Sequence, residues 1–348
     1  MNLFCSDPFN EIHSLGHRDN VLLPDQTDPA TVLALGLMAL NAYYDQGEGK
    51  WVDVPGWEPK LGFGSTSITG HIYISTDEKI AIIVIKGTSL NVPFTGGGKT
   101  GANDKLNDNK MFSCCCGKAG RTWRPVDGCT CSNSAATECG SQCVAESSDY
   151  PESYYRLATA IANAARDMYP RASFWVTGHS LGGALAALVA LTFDWPAFTY
   201  ETPGDLLFAK RIGLLPPAPP QFMDIFLETL PIYQFGNNGD PVYLGTCTAT
   251  ITSSCWLGGY ALETKCHIGK ECVYDLDSDG SLVDDMYDPN KEALRISWPK
   301  HRRANQNINY HKMQFVLDNF LYRWKRVPEC KVNFLNEGCV DCERWSWV

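Results

Sequence analysis

Hydrophobic positions change period several times along the chain, and each change marks an expected element. Asp28-Pro29 offers an N-cap and a proline at the first helical position, and Val32, Leu35, Leu40 and Tyr43 continue an apolar helix from there. Trp51-Val-Asp-Val54 and His71-Ile-Tyr-Ile-Ser75 alternate and predict strands. Thr76-Asp-Glu-Lys79 predicts a hairpin turn into Ala81-Ile-Ile-Val-Ile85, which is apolar on both faces, as a central strand covered from both sides must be. From Asn91 to Cys143 the regular pattern is lost. Tyr154 to Tyr169 then predicts an amphipathic helix, Ser173 to Thr177 a strand and Ala184 to Leu191 a helix. Ala197 to Glu201 and Ile232 to Phe235 predict further strands, and His311 to Trp324 a last helix. Strand and helix in alternation predict an α/β chain with a mostly parallel sheet and helices on both faces. Residues 1–27 predict an irregular N-terminal segment, and residues 28–348 a single domain with inserts at about 90–145 and 245–290.

Composition changes this picture chiefly through cysteine. Of 15 cysteines, seven fall between Cys114 and Cys143, four between Cys247 and Cys272, three at Cys330, Cys339 and Cys342, and Cys5 stands apart. Clustering within insert-like stretches predicts a disulfide framework formed in an oxidising compartment. The competing reading is zinc, since Cys339-Val-Asp-Cys342 is a CxxC and Cys129-Thr-Cys131 sits in the first cluster, but no paired CxxC with regular spacing supports it. The odd count leaves one thiol without a partner in this chain. Net charge is −10, which excludes the basic stripe that nucleic acid requires and gives no polybasic attraction to anionic lipid. Met1-Asn-Leu-Phe-Cys-Ser-Asp-Pro8 lacks a long apolar core, and the chain contains no Asn-x-Ser/Thr glycosylation site.

Chemistry concentrates at Gly178-His179-Ser180-Leu181-Gly182, a G-x-S-x-G turn with a strand before it and a helix after it. That context makes Ser180 a candidate nucleophile held on the strained turn of an α/β-hydrolase fold. Ser180 needs a base, and the base an orienting acid, in the chain order Ser, Asp or Glu, His. Asp240 fits the acid, because it follows the strand Ile232–Phe235 across the loop Gly236-Asn-Asn-Gly239. Among His267, His301 and His311, the favoured base is His311, with His267 next: His267 lies between Cys266 and Cys272, and His301 in a basic run. His179 is expected to pack beside the serine rather than act as base. The oxyanion donors should be the backbone N–H of Leu181 and Thr88, which follows the central strand in Lys86-Gly87-Thr88-Ser89. Asp275-Leu-Asp-Ser-Asp279-Gly280 resembles the start of a calcium loop, but Met286 stands where a bidentate acid should close it, so it reads as a solvated acidic loop. No metal or cofactor is required.

Ile85-Lys-Gly-Thr88, Gly178-His-Ser-Leu-Gly-Gly183, Asp240 before Pro241-Val242, and a late histidine together resemble class 3 lipases. Asn103-Asp-Lys-Leu-Asn-Asp108, Phe112-Ser-Cys-Cys-Cys116, Gly259-Tyr-Ala-Leu-Glu263 with Cys266-His267, and Val327-Pro-Glu-Cys330 with Asp341-Cys342 are similar to the fungal vacuolar lipases that dissolve autophagic bodies. The likeness runs from about Asp28 to the end. It implies Ser180, Asp240 and His311 as a triad, Thr88 and Leu181 at the oxyanion hole, and a lid near residues 91–115. It further implies a phospholipase of the vacuole lumen, reached by the secretory pathway from an N-terminal membrane anchor. Its substrate would be a phospholipid membrane or vesicle surface, with a preference for lipids such as phosphatidylserine, and no obligate protein partner is implied. Two alternatives stay open: a soluble esterase or triacylglycerol lipase with the same triad, and a cysteine-rich binding protein on a hydrolase scaffold.

Overall fold

A computed structural model describes residues 22–64, 67–89, 100–120, 123–132, 137–248, 254–276, 305–323, 325–333 and 338–348. Cys5, His301, the acidic stretch beyond Leu276 and residues 90–99 of the expected lid lie outside the described residues.

Eight strands form one sheet in which spatial order follows chain order. They are β1 (Trp57–Phe63), β2 (Gly70–Ser75), β3 (Ile80–Ile85), β4 (Ser173–His179), β5 (Ala197–Tyr200), β6 (Ile232–Asn237), β7 (Lys270–Tyr274) and β8 (Cys330–Lys331). β3 to β7 run parallel, while β1, β2 and β8 extend the sheet antiparallel at its two ends. The helices are α1 (Pro29–Asn41), α2 (Gly101–Phe112), α3 (Ser141–Ser148), α4 (Tyr154–Met168), α5 (Leu181–Phe193), α6 (Leu206–Arg211), α7 (Pro220–Thr229) and α8 (Met313–Val316), the last running on as a π-turn over Leu317–Leu321. A short helix, Ser254–Gly258, lies between β6 and β7. This is the α/β-hydrolase architecture.

The apolar alternation of β3 explains its place. Ile83 and Ile85 enter the core on one face with Val176 and the alanines of α4 and α5. Ile82 and Val84 enter the core on the other face with α1 and the final helix. α5 is apolar all round because the sheet covers one side and α4 the other. Asp28 caps α1 by accepting from Ala30 N at 3.1 Å and Thr31 N at 3.0 Å, a contact worth about 1 kcal/mol.

Several elements depart from the sequence expectations. Trp51–Val54 is not a strand: Val52 N donates to Asn41 Oδ1 at 2.9 Å and Val52 O accepts from Asn41 Nδ2 at 2.7 Å, so the segment is held to the end of α1 instead. β1 begins six residues later, at Trp57. The stretch without periodicity contains α2 and the first residues of α3. The last helix starts at Met313, and His311 precedes it in a 3-10 turn, Ile308–His311.

Seven disulfides join the cysteines of the described residues. Cys115–Cys139, Cys116–Cys129 and Cys131–Cys143 staple the first cluster around a small core of its own with Val126 and Val144. Cys114–Cys342 and Cys266–Cys339 bind the C-terminal segment to the body, and Ser346–Trp347 pairs alongside Glu138–Cys139. Cys339 and Cys342 are thus committed to different partners, as are Cys129 and Cys131. Cys272 pairs with Cys330, so His267 is not enclosed in a Cys266–Cys272 loop.

Candidate active site

β4 delivers Ser180 at the carboxyl end of the sheet, and the turn into α5 is tight. Ser180 takes φ 58° and ψ −131°, a region that L-residues adopt only under constraint. The glycines on either side permit it. A Cβ on Gly178 would lie 2.5 Å from the Gly182 carbonyl carbon and 2.7 Å from Ile85 O; one on Gly182 would lie 2.6 Å from the Lys86 carbonyl carbon. The turn therefore fits only while both positions lack a side chain.

Asp240 comes from the loop after β6. Asn237 Oδ1 accepts from Gly239 N at 3.0 Å and Asn238 Oδ1 from Leu276 N at 2.7 Å, which shapes the loop and ties it to the end of β7. Asp240 is fully buried, and its Oδ1 accepts from Val242 N at 2.9 Å. His311 closes the 3-10 turn, whose Asn307 N donates to Gly239 O at 3.1 Å. Acid loop and histidine turn are thereby joined directly. His311 Nδ1 lies 2.7 Å from Asp240 Oδ2, and Nε2 lies 2.8 Å from Ser180 Oγ. The three residues expected to act together are brought together, with Ser180 and His311 each 7% exposed.

His179 sits between them and α1. Its Nε2 donates to His311 O at 2.7 Å, so its Nδ1 accepts from Tyr43 Oη, also at 2.7 Å. Burial, and then the neighbouring His311, push its pKa down to about 3, which keeps the ring neutral and in this one tautomer. His267 stands elsewhere, its Nδ1 2.9 Å from Glu271 Oε1 and its Nε2 donating to Thr202 O at 2.9 Å. Both ring nitrogens are engaged away from Ser180.

Leu181 opens α5, and Thr88 follows β3 beside the elbow. A Cβ on Gly87 would meet Tyr43 Oη and His179 O and come within 3.0 Å of Ser180 Cβ, which shows how closely the end of β3 abuts the serine turn. Thr88 Oγ1 lies 2.6 Å from Oδ2 of Asp108, a buried residue of α2. Burial pushes Asp108 up to about 8, the Thr88 bond opposing and the charge of Asp104 adding to the shift. Asp108, Tyr43 and Asn237 were not legible as site residues: Asp108 lies in a helix without apolar period, Tyr43 reads as one more apolar position of the first helix, and Asn237 as the polar end of a strand. A surface hollow of about 670 Å³, lined by residues including Asp224, Ile225, Glu228 and Lys331, contains none of the site residues.

Buried acids give the fold a pH dependence with a definite sign. Burial pushes Asp205 up to about 7 and Asp108 up to about 8. For His267, burial acts downward, but the bond to and charge of Glu271 outweigh it and the net shift is upward. Groups raised in the folded state stabilise fully below their unfolded pKa, and that stability is lost as pH rises through the folded value. His179, depressed in the fold, acts oppositely, and only as pH falls below about 6.5. Between pH 8.5 and 6.5 the raised groups therefore act alone. Tm is expected to rise by a few degrees on acidification across that window, and less so in Asp108→Asn. A flat scanning-calorimetry profile in the wild type would contradict these shifts.

With this geometry in place, comparison with known proteins shows what the chain resembles. The model of the family "Lipase (class 3)" matches residues 134–241, a span that holds Ser180 and Asp240. Over that span the chain is similar to class 3 lipases. It is 36% identical over 347 residues to the protein named "Putative lipase ATG15" from Saccharomyces cerevisiae strain YJM789, covering 97% of this chain and 60% of that protein. It is 35% identical over 341 residues to the protein of the same name from Kluyveromyces lactis, covering 95% of this chain and 58% of that one. The chain thus spans less than two thirds of the length of these relatives. Among solved structures, Lip2 lipase from Yarrowia lipolytica superposes with a TM-score of 0.39 at 16% identity, covering 71% of this chain and 79% of that one. The lipase of Rhizopus microsporus var. chinensis gives 0.37 at 16% identity, covering 74% and 80%.

Proposed function

We propose that this chain is a serine lipase cleaving acyl esters of membrane phospholipids, such as phosphatidylserine, by two-step acyl transfer. The observation that carries the reading is the continuous line from Ser180 Oγ through His311 to Asp240, with separations of 2.8 and 2.7 Å. Ser180 Oγ bonds to the ester carbonyl carbon while its proton passes to His311 Nε2. Asp240 steadies the imidazolium, and the Leu181 N–H and Thr88 face the oxyanion. His311 then protonates the departing alcohol oxygen, leaving an acyl-serine. Water attacks that ester, gives its proton to His311, and releases the fatty acid and free Ser180.

Asp108 adds a refinement. The Thr88 hydroxyl donates to Asp108 Oδ2 at 2.6 Å, which fixes the Thr88 side chain and leaves its backbone N–H as the group to face the oxyanion. The seven disulfides suit an oxidising lumen, in keeping with a vacuolar lipase of the secretory pathway that lyses autophagic bodies and other vesicles. The catalytic unit would be residues 28–348, with residues 90–145 and 245–290 as inserts. Among the described residues no helix is long and apolar enough to cross a membrane.

The test is fatty-acid release from phosphatidylserine liposomes against cleavage of a dissolved short-chain ester, with and without a fluorophosphonate. Release from liposomes that the fluorophosphonate blocks is the expected result. Cleavage of the short ester alone would sink the phospholipid assignment and leave an esterase.

A further inference from the structure

Behind the candidate triad lies a second buried carboxyl group that the reaction as written does not use. Glu201 follows β5 directly and is fully buried. Its φ is +47°, a left-handed conformation that glycine would adopt without strain. The backbone is pinned on both sides of it: Glu201 N donates to Phe235 O at 2.8 Å, and Thr202 O accepts from His267 Nε2 at 2.9 Å. A non-glycine residue held in this conformation directs attention to its side chain.

That side chain meets Asn237 twice. Glu201 Oε1 accepts from Asn237 Nδ2 at 2.7 Å, and Oε2 accepts from Asn237 N at 3.2 Å. The same Asn237 amide accepts from Gly239 N, just before Asp240, and donates at 3.2 Å to Tyr310 O, just before His311. Asp240 in turn accepts from the His311 ring N–H and from Val242 N. One asparagine amide, held by Glu201, therefore touches both the loop that carries Asp240 and the turn that carries His311.

We propose that Glu201 is a positioning residue for the triad: its buried carboxyl fixes the Asn237 amide and, through Asn237, holds the Asp240 loop and the His311 turn in register. This rests on the reading of Ser180, His311 and Asp240 as the triad. So held, Asn237 keeps its Oδ1 on Gly239 N and its Nδ2 on Tyr310 O, and such outer contacts set the aim of the groups they hold. Burial first, and then Asp240, push the Glu201 pKa well above the ordinary carboxyl range. The titratable groups around it are Asp240 and Tyr243 on the loop after β6, His311 beyond Asp240, and His267 behind Thr202.

The experiment compares wild type, Glu201→Gln and Glu201→Leu on a dissolved ester, with Ser180→Ala as the background. Leucine removes both hydrogen bonds to Asn237, whereas glutamine keeps an acceptor for Asn237 Nδ2. Glu201→Leu is expected to lower kcat about 10- to 100-fold with KM unchanged, and Glu201→Gln to recover most of that loss. Equal losses in both variants, or none in Glu201→Leu, would overturn the proposal. Should wild type show no hydrolysis above Ser180→Ala, the triad reading itself falls and the positioning role with it; a normal Ser180-dependent rate with no effect at Glu201 removes the positioning role alone.

Discussion

Ser180→Ala is expected to lower kcat for ester hydrolysis about a million-fold, and adding His311→Ala to it should change almost nothing more. The reason is geometric. His311 Nε2 is 2.8 Å from Ser180 Oγ, so the imidazole has no proton to take once the hydroxyl is gone. Nucleophile and base act as one unit, and either deletion removes the whole of it. His179 does not substitute as base: it is buried, held neutral with a pKa near 3, and has both ring nitrogens engaged. Stopped-flow or endpoint kinetics on a dissolved ester, in the two single variants and the double, measure this directly. A further large loss in the double variant would mean that another nucleophile carries the residual rate. The expected residual is the small acceleration left by oxyanion donors and binding.

How far the chain announces this site depends on which interaction places each residue. β3 is legible because both its faces are buried, Ile82 and Val84 on one side and Ile83 and Ile85 on the other. The serine turn is legible because two glycines are required where backbones approach closely, and glycine spacing survives in the sequence. Asp240 and His311 could be proposed from order and loop context, but the choice between His311 and His267 turns on a contact across 131 residues that no local pattern encodes. α2 escapes notice for a different reason. Its buried residues include Asp104, Asn107, Asp108 and Asn109, which are satisfied by hydrogen bonds such as Tyr154 Oη to Asp104 at 2.8 Å, so the apolar period that marks a helix is missing. Trp51–Val54 errs the other way, since it alternates like a strand while a single asparagine side chain takes its backbone groups. Cysteine clustering points to disulfides, but Cys114 joins Cys342 rather than a neighbour, which only the folded chain reveals.

Asp240→Asn is expected to lower kcat about 10,000-fold while leaving the protein folded. Asp240 presents two acceptor oxygens to donors from different directions: Val242 N at 2.9 Å and His311 Nδ1 at 2.7 Å. Asparagine has one acceptor oxygen and one NH2. If the oxygen keeps the Val242 N–H, the NH2 faces His311 Nδ1 and compels that nitrogen to become the acceptor. The ring proton then moves to Nε2, pointing at Ser180 Oγ, and the base can no longer take the serine proton. If the oxygen turns to His311 instead, the NH2 group faces the Val242 N–H, two donors without an acceptor in a fully buried loop. Either way the substitution attacks orientation and tautomer rather than the core. The informative measurement is therefore the rate of fluorophosphonate labelling of Ser180 alongside Tm. Slow labelling with a Tm within a few degrees of wild type is the expected pair of results. Normal labelling would show that Asp240 does not set the His311 tautomer, and would return the role of orienting acid to its buried neighbour Glu201.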